Sequence, residues 1–171
     1  MTSRCHRLFP IVLLLVPFSA MAEPASDTDM TFEGQLLNNL HEANLMEIAA
    51  GRLALTRGAS AAVKRYAAVL VKDHSLADEQ VAALAQTMNV PLPATAAPQE
   101  DLKVLSSLSG TAFDRAFLKM MVDDHTKAVS LVRSAQRRVS SPAFTTFLNK
   151  LLPVLESHLD TALALSKDFQ S

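Results

Sequence analysis

Residues 60–88 read SAAVKRYAAVLVKDHSLADEQVAALAQTM. Val63, Tyr66, Ala67, Leu70, Ala77, Val81, Leu84 and Met88 recur at three- and four-residue steps, so they fall on one face of a helix. Ser60 suits the N-cap, where a hydroxyl accepts from the free amides of the first turn. The prolines of VPLPATAAP at 90–98 must end the helix, because proline has no N–H and restricts the residue before it. A helix this long with a single apolar face needs companions to bury that face.

The rest of the chain supplies them. Another helix is expected from about Thr31 to Arg57, closed by Gly58 as a C-terminal residue. EDLKVLSSLSG at 100–110 fits a short connecting helix. Thr111, with Asp114 three residues later, resembles a capping box that starts a third long helix. Its stripe is Phe113, Phe117, Met120, Met121, Ala128 and Val132. Ser141-Pro142 pairs an N-cap with a proline at the first helical position and starts a fourth. That stripe is Phe144, Phe147, Leu148, Leu151, Leu155, Ala162 and Leu165, with Pro153 inside it, expected to free the Asn149 carbonyl and bend the axis. Four long helices without a strand pattern predict an all-α four-helix bundle.

Ahead of the bundle lies an export signal. Arg4 and Arg7 precede a short apolar run from Leu8 to Phe18, and SAMA at 19–22 sets Ala20 and Ala22 in an A-x-A arrangement. This predicts secretion to the periplasm with cleavage after Ala22, a short leader over 23–29, and the bundle over 30–169. Cys5 would be lost with the signal, so the mature chain of about 149 residues has no thiol and no disulfide. Without Arg4 and Arg7 the 16 basic residues become 14, against 17 acidic ones, a net charge near −3. With no basic stripe and no RNA-type aromatic motif, nucleic acid is not an expected partner. After signal cleavage no apolar run is long enough to span a membrane.

Three histidines share a setting. His74 lies four after Leu70 and three before Ala77, His125 four after Met121 and three before Ala128, and His158 three after Leu155 and four before Ala162. Each therefore faces inward. On the first helix Glu47 lies four after Ala43, seven after Leu40 and four before Gly51, also an inward row. Counted from the helix ends at 1.5 Å per residue, Glu47, His74, His125 and His158 sit roughly 16, 21, 21 and 24 Å along their helices. They therefore meet near mid-bundle, whether the helices alternate up and down or include a long crossover.

One carboxylate and three imidazoles at one depth can form a mononuclear site for Zn, Cu, Fe or Ni. Asp73, Asp124 and Glu156 then stand as acceptors for the outer ring N–H groups. The competing reading is a hydrogen-bonded core layer that fixes helix register in a non-enzymatic envelope or stress-related protein. His41 is six residues from Glu47, about 120° around the helix, and is expected to face solvent. No serine elbow, P-loop or dinucleotide fingerprint occurs. The chain shows no nucleophile or base apart from this layer, so catalysis is the least supported reading.

LMEIAAGRLAL, VKRYAAVLVKDH, LSGTAFDRAFLKMMVDDHTKAV and LLPVLESHLDTAL together resemble the DUF4142 family, exported ferritin-like proteins of unknown function. The resemblance spans roughly 30–166. It implies a ferritin-like four-helix bundle and no established activity. Glu47, Asp73, His74, His125, Pro153 and His158 match the family's motifs, while Phe117 stands where the family often has tyrosine. The Glu-x-x-His pattern of di-iron ferritins is missing: Val71, Val122 and Leu155 occupy the positions three before each histidine and cannot ligate. Dinuclear iron chemistry is disfavoured accordingly.

Overall fold

The computed structural model describes residues 31–94 and 100–169. The expected signal over 1–22 and leader over 23–29 lie outside these residues. Five helices follow in order: α1 (Phe32–Arg57), α2 (Ala61–Thr87), α3 (Glu100–Ser107), α4 (Gly110–Ala135) and α5 (Pro142–Lys167). The caps explain three of the starts. Thr31 Oγ1 accepts from the Gly34 amide, Ser60 Oγ from Ala62 and Val63, and Ser141 Oγ from Phe144. Each takes up amides that the first turn leaves free.

The start of α4 differs from the expected capping box. Ser109 is its N-cap and makes no side-chain cap bond. Asp114 turns away from its own helix and accepts from the amides of Ala59 and Ser60, at 3.2 and 2.8 Å. It therefore serves the start of α2, where the free amides and the helix dipole favour an anion. Gly58 also ends α1 for another reason than expected. Its φ is −65°, so no left-handed residue is needed. A Cβ there would lie 2.8 Å from the Ala54 carbonyl and 2.9 Å from Asp114 Oδ1. Glycine is required because the Ala54 carbonyl and the Asp114 carboxylate occupy that space.

These contacts decide the topology. Gly58 pairs with Gly110, so α4 starts at the end of the bundle where α1 turns into α2. At the other end, Glu33 at the start of α1 accepts from Ser140 and Ser141 at the α4–α5 turn. Helices α2 and α4 therefore run in the same direction, and α1 and α5 run opposite to them. The connection from α2 to α4 must return along the whole bundle, and α3 is the part of it that packs on α1 and α4. This is the long-crossover arrangement. Within it α1 pairs with α2 and α4 with α5, while α2 meets α5 and α1 meets α4 across the bundle.

The apolar stripes bury as the periodicity predicts. Val63, Leu70, Phe113, Phe117, Phe144 and Leu148 are wholly buried, each worth roughly 1.5–3 kcal/mol over exposure. The core is divided into two clusters. One gathers Leu36, Leu40, Ala77, Val81, Val132, Phe147 and Leu155. The other gathers Ala50, Val63, Leu70, Phe117, Met121 and Ala162. On every long helix the sequence passes from one cluster to the other through a polar residue, and these polar residues form the layer described next.

Candidate metal centre

Glu47, His74, His125 and His158 are 3, 4, 0 and 4 % exposed. One comes from each long helix, and all four lie between the two apolar clusters. One nitrogen from each of the three imidazoles lies within 4.8 Å of the corresponding atoms of the other two. Ring centroids are 5.6 Å apart for His74–His125, 5.4 Å for His74–His158 and 5.2 Å for His125–His158. Glu47 stands at the side of this trio. Its Oε2 is 3.4 Å from His74 Nε2 and its Oε1 is 3.5 Å from His125 Nδ1.

The outer nitrogens determine the tautomers. His74 Nδ1 donates to Asn44 Oδ1 at 2.9 Å, and His125 Nδ1 to the Met121 carbonyl at 3.0 Å. His158 Nε2 donates to Asp73 Oδ2 at 3.1 Å. All three partners are acceptors only, so in neutral rings the remaining nitrogens carry lone pairs. Those nitrogens are His74 Nε2, His125 Nε2 and His158 Nδ1. The last two face each other at 3.2 Å, with no proton between them when the rings are neutral. His74 Nε2 and Glu47 Oε2 are buried and make no hydrogen bond. Unsatisfied buried polar atoms are costly, and here they collect at one point.

Charge follows the same pattern. Burial, and then the Asp124 carboxylate, push the Glu47 carboxyl well above the usual range. Burial, and then the neighbouring His125 and His158, bring His74 down to about 3. Burial and His158 bring His125 down to about 4, against the pull of the Met121 carbonyl. His158 is lowered by burial, opposed by Asp73. The layer thus favours neutral imidazoles and a protonated acid. A bound cation would reverse the preference of Glu47, and neutral imidazoles are the form that ligates.

The flanking acids separate into two kinds. Asp73 reaches an imidazole, though that of His158 across the bundle rather than that of its neighbour His74. Asp124 bonds to Lys127 at 3.3 Å and Glu156 to Arg133 at 2.7 Å. Both are paired with these cations rather than with an imidazole, and Glu156, two residues from His158, lies about 200° from it around α5.

Three positions depart from the sequence reading. Ala43, expected in the inward row of α1, is exposed, and Asn44 takes its place, 6 % exposed. Asn44 lies four after Leu40 and three before Glu47, so the spacing was available to find it. Tyr66 was read as apolar stripe alone, yet its hydroxyl donates to the His158 carbonyl at 3.0 Å. His41 is buried rather than solvent-facing. It contacts Asp78 Oδ1 at 2.7 Å and the Pro93 carbonyl at 2.9 Å, tying the start of the crossover to α1 and α2. Its burial depends on partners from α2 and the crossover, which the helical wheel of α1 does not include.

The fold and this layer define a long-crossover four-helix bundle with a buried histidine cluster. The DUF4142 sequence profile, a domain of unknown function, matches residues 18–165, and the chain belongs to that family. No curated protein matches it in sequence. Among solved structures it is similar to CopM in the Cu(II)-bound form, with a TM-score of 0.72 at 16% identity, covering 82% of this chain and 99% of that one. CopM in the Cu(I)-bound form gives 0.71 at 14%, covering 83% and 100%. A DUF305 fragment from Deinococcus radiodurans gives 0.72 at 15%, covering 80% and 95%. Identities this low establish a shared fold. None of the helices among the described residues is long and apolar enough to cross a membrane.

Proposed function

We propose that this protein binds a single transition-metal ion in the exported compartment, with His74, His125 and His158 as ligands and Glu47 as the adjacent carboxylate. The observation that carries this reading is the clustering of three imidazoles, one nitrogen of each within 4.8 Å of the others, whose outer N–H groups are all tied to acceptors. Such outer acceptors orient ligating histidines and raise their basicity. The donor set suits Zn, Cu, Fe or Ni. Copper is the first ion to test, since similarly folded CopM is solved with copper and copper heads the divalent affinity series. A closed hydrogen-bonded layer is less well supported. It would set the His125 Nε2 and His158 Nδ1 lone pairs against each other at 3.2 Å and leave Glu47 Oε2 a long 3.4 Å from His74 Nε2.

The test is elemental analysis of tag-free protein, stripped with chelator and dialysed against Cu²⁺ or Zn²⁺. One ion per chain is expected, falling to background in His125→Gln with helicity retained. A folded wild-type chain that never holds a stoichiometric ion rules the reading out.

A further inference from the structure

An ion bound in this layer needs a way in, and one cleft reaches it. A cleft of about 560 Å³ runs between α2 and α5, lined by Tyr66, Val69, Asp73, Val154, Ser157 and His158 among others. It reaches the layer directly, because His158 lies on its wall. The two clefts on the α4 side do not. One is lined by Leu105, Met120, Asp124 and Lys127, the other by Leu118, Val122 and Leu163, and neither touches a histidine of the cluster.

We propose that the α2–α5 cleft is the path by which a metal ion reaches the three histidines, with Asp73 receiving it and His158 acting as the gate between cleft and core. This rests on the metal-binding reading above. Three features carry it. Asp73 is the cleft's acidic lining residue, and its side chain is 30% exposed while that of His158 is 5% exposed. An arriving cation therefore meets the carboxylate first. His158 has two faces: Nε2 points to Asp73 and Nδ1 to His125. Once Asp73 engages a cation, its hold on the His158 N–H weakens and the ring is released from its one side-chain anchor on the cleft side. Pro153, on the same wall, lacks an amide hydrogen, so α5 has one helical bond fewer just before His158. The one basic residue of the lining, Arg65, lies eight residues from Asp73 along α2, about 12 Å away.

Filling the cleft without touching a ligand tests the route. Val154 and Val69 are 38 and 48 % exposed on its two walls, so tryptophan at either leaves the core intact. Val154→Trp, and separately Val69→Trp, would be stripped of metal and mixed with Cu²⁺ in a stopped-flow instrument, following ligand-field absorption. Uptake at least tenfold slower than wild type is expected in both, with the final stoichiometry unchanged. Lys127→Trp, in the α4-side cleft, is expected to load at the wild-type rate. Circular dichroism confirms that each variant is folded. Wild-type rates in both cleft variants, or equal slowing in Lys127→Trp, overturn the route and leave the site standing. A wild-type chain that takes up no copper overturns the site, and the route with it.

Discussion

Each histidine of the layer is buried in a form that acid should disrupt. His74 and His125 have folded pKa values of about 3 and 4, below the unfolded value near 6.5. As pH falls through the window between those values, the unfolded chain takes up protons that the folded chain refuses, so stability falls. Glu47 acts in the opposite sense. Its raised folded pKa means that the folded chain holds a proton the unfolded chain has lost, a contribution present at low pH and lost as pH rises through the folded pKa. Two histidines, each taking up most of a proton on unfolding, outweigh the single acid, so the metal-free protein is expected to be less stable at pH 5 than at pH 7. Urea midpoints at the two pH values measure it, and an unchanged midpoint would contradict the assigned burial. Glu47→Gln separates fold from function at a single position. It keeps the shape and removes the acid, so the metal-free chain is expected to be as stable as wild type or more so. Metal affinity is expected to drop about tenfold or more, read by competition with a chelator.

At the scale of elements, the hairpins are joined by a contact the sequence does not advertise. Asp114 of α4 caps α2 through two backbone amides and is itself 1% exposed. Asp114→Ala is expected to cost about 1–3 kcal/mol, since it removes a buried carboxylate that accepts from two backbone amides and caps α2. Gly58→Ala should cost a similar amount, because its Cβ would crowd the same carboxylate as well as the Ala54 carbonyl. The two substitutions act on one contact, so the double variant should lose less than their sum. Full additivity in thermal unfolding would show that Gly58 matters for another reason. The α1–α2 approach is likewise close at Gly51, where a Cβ would lie 2.7 Å from Val71 Cγ2.

Across the whole molecule, the layer is where all four long helices meet. An ion held by α2, α4 and α5 beside a carboxylate from α1 would link both hairpins. Metal binding is therefore expected to raise the unfolding midpoint of the entire bundle as a single transition. At a free ion concentration 100 times the dissociation constant, the gain is about 2.7 kcal/mol. Calorimetry with and without Cu²⁺ tests this. A second, unshifted transition would mean that one hairpin unfolds independently of the site.

The sequence by itself determined the long helices, the caps at Ser60 and Ser141, and the inward direction of Glu47, His74, His125 and His158. These follow from local periodicity and from hydroxyls beside free amides, which neighbouring residues settle alone. Depth along each helix was also legible, because rise per residue is constant. The tertiary structure alone decided the crossover, since the Gly58–Gly110 pairing and the Asp114 cap join residues more than fifty positions apart. It decided that Asp73 serves His158 rather than His74, that Asn44 rather than Ala43 enters the layer, and that His41 is buried against Asp78 and the Pro93 carbonyl. Each of these depends on which helix stands opposite, and a one-dimensional pattern carries no record of its partner.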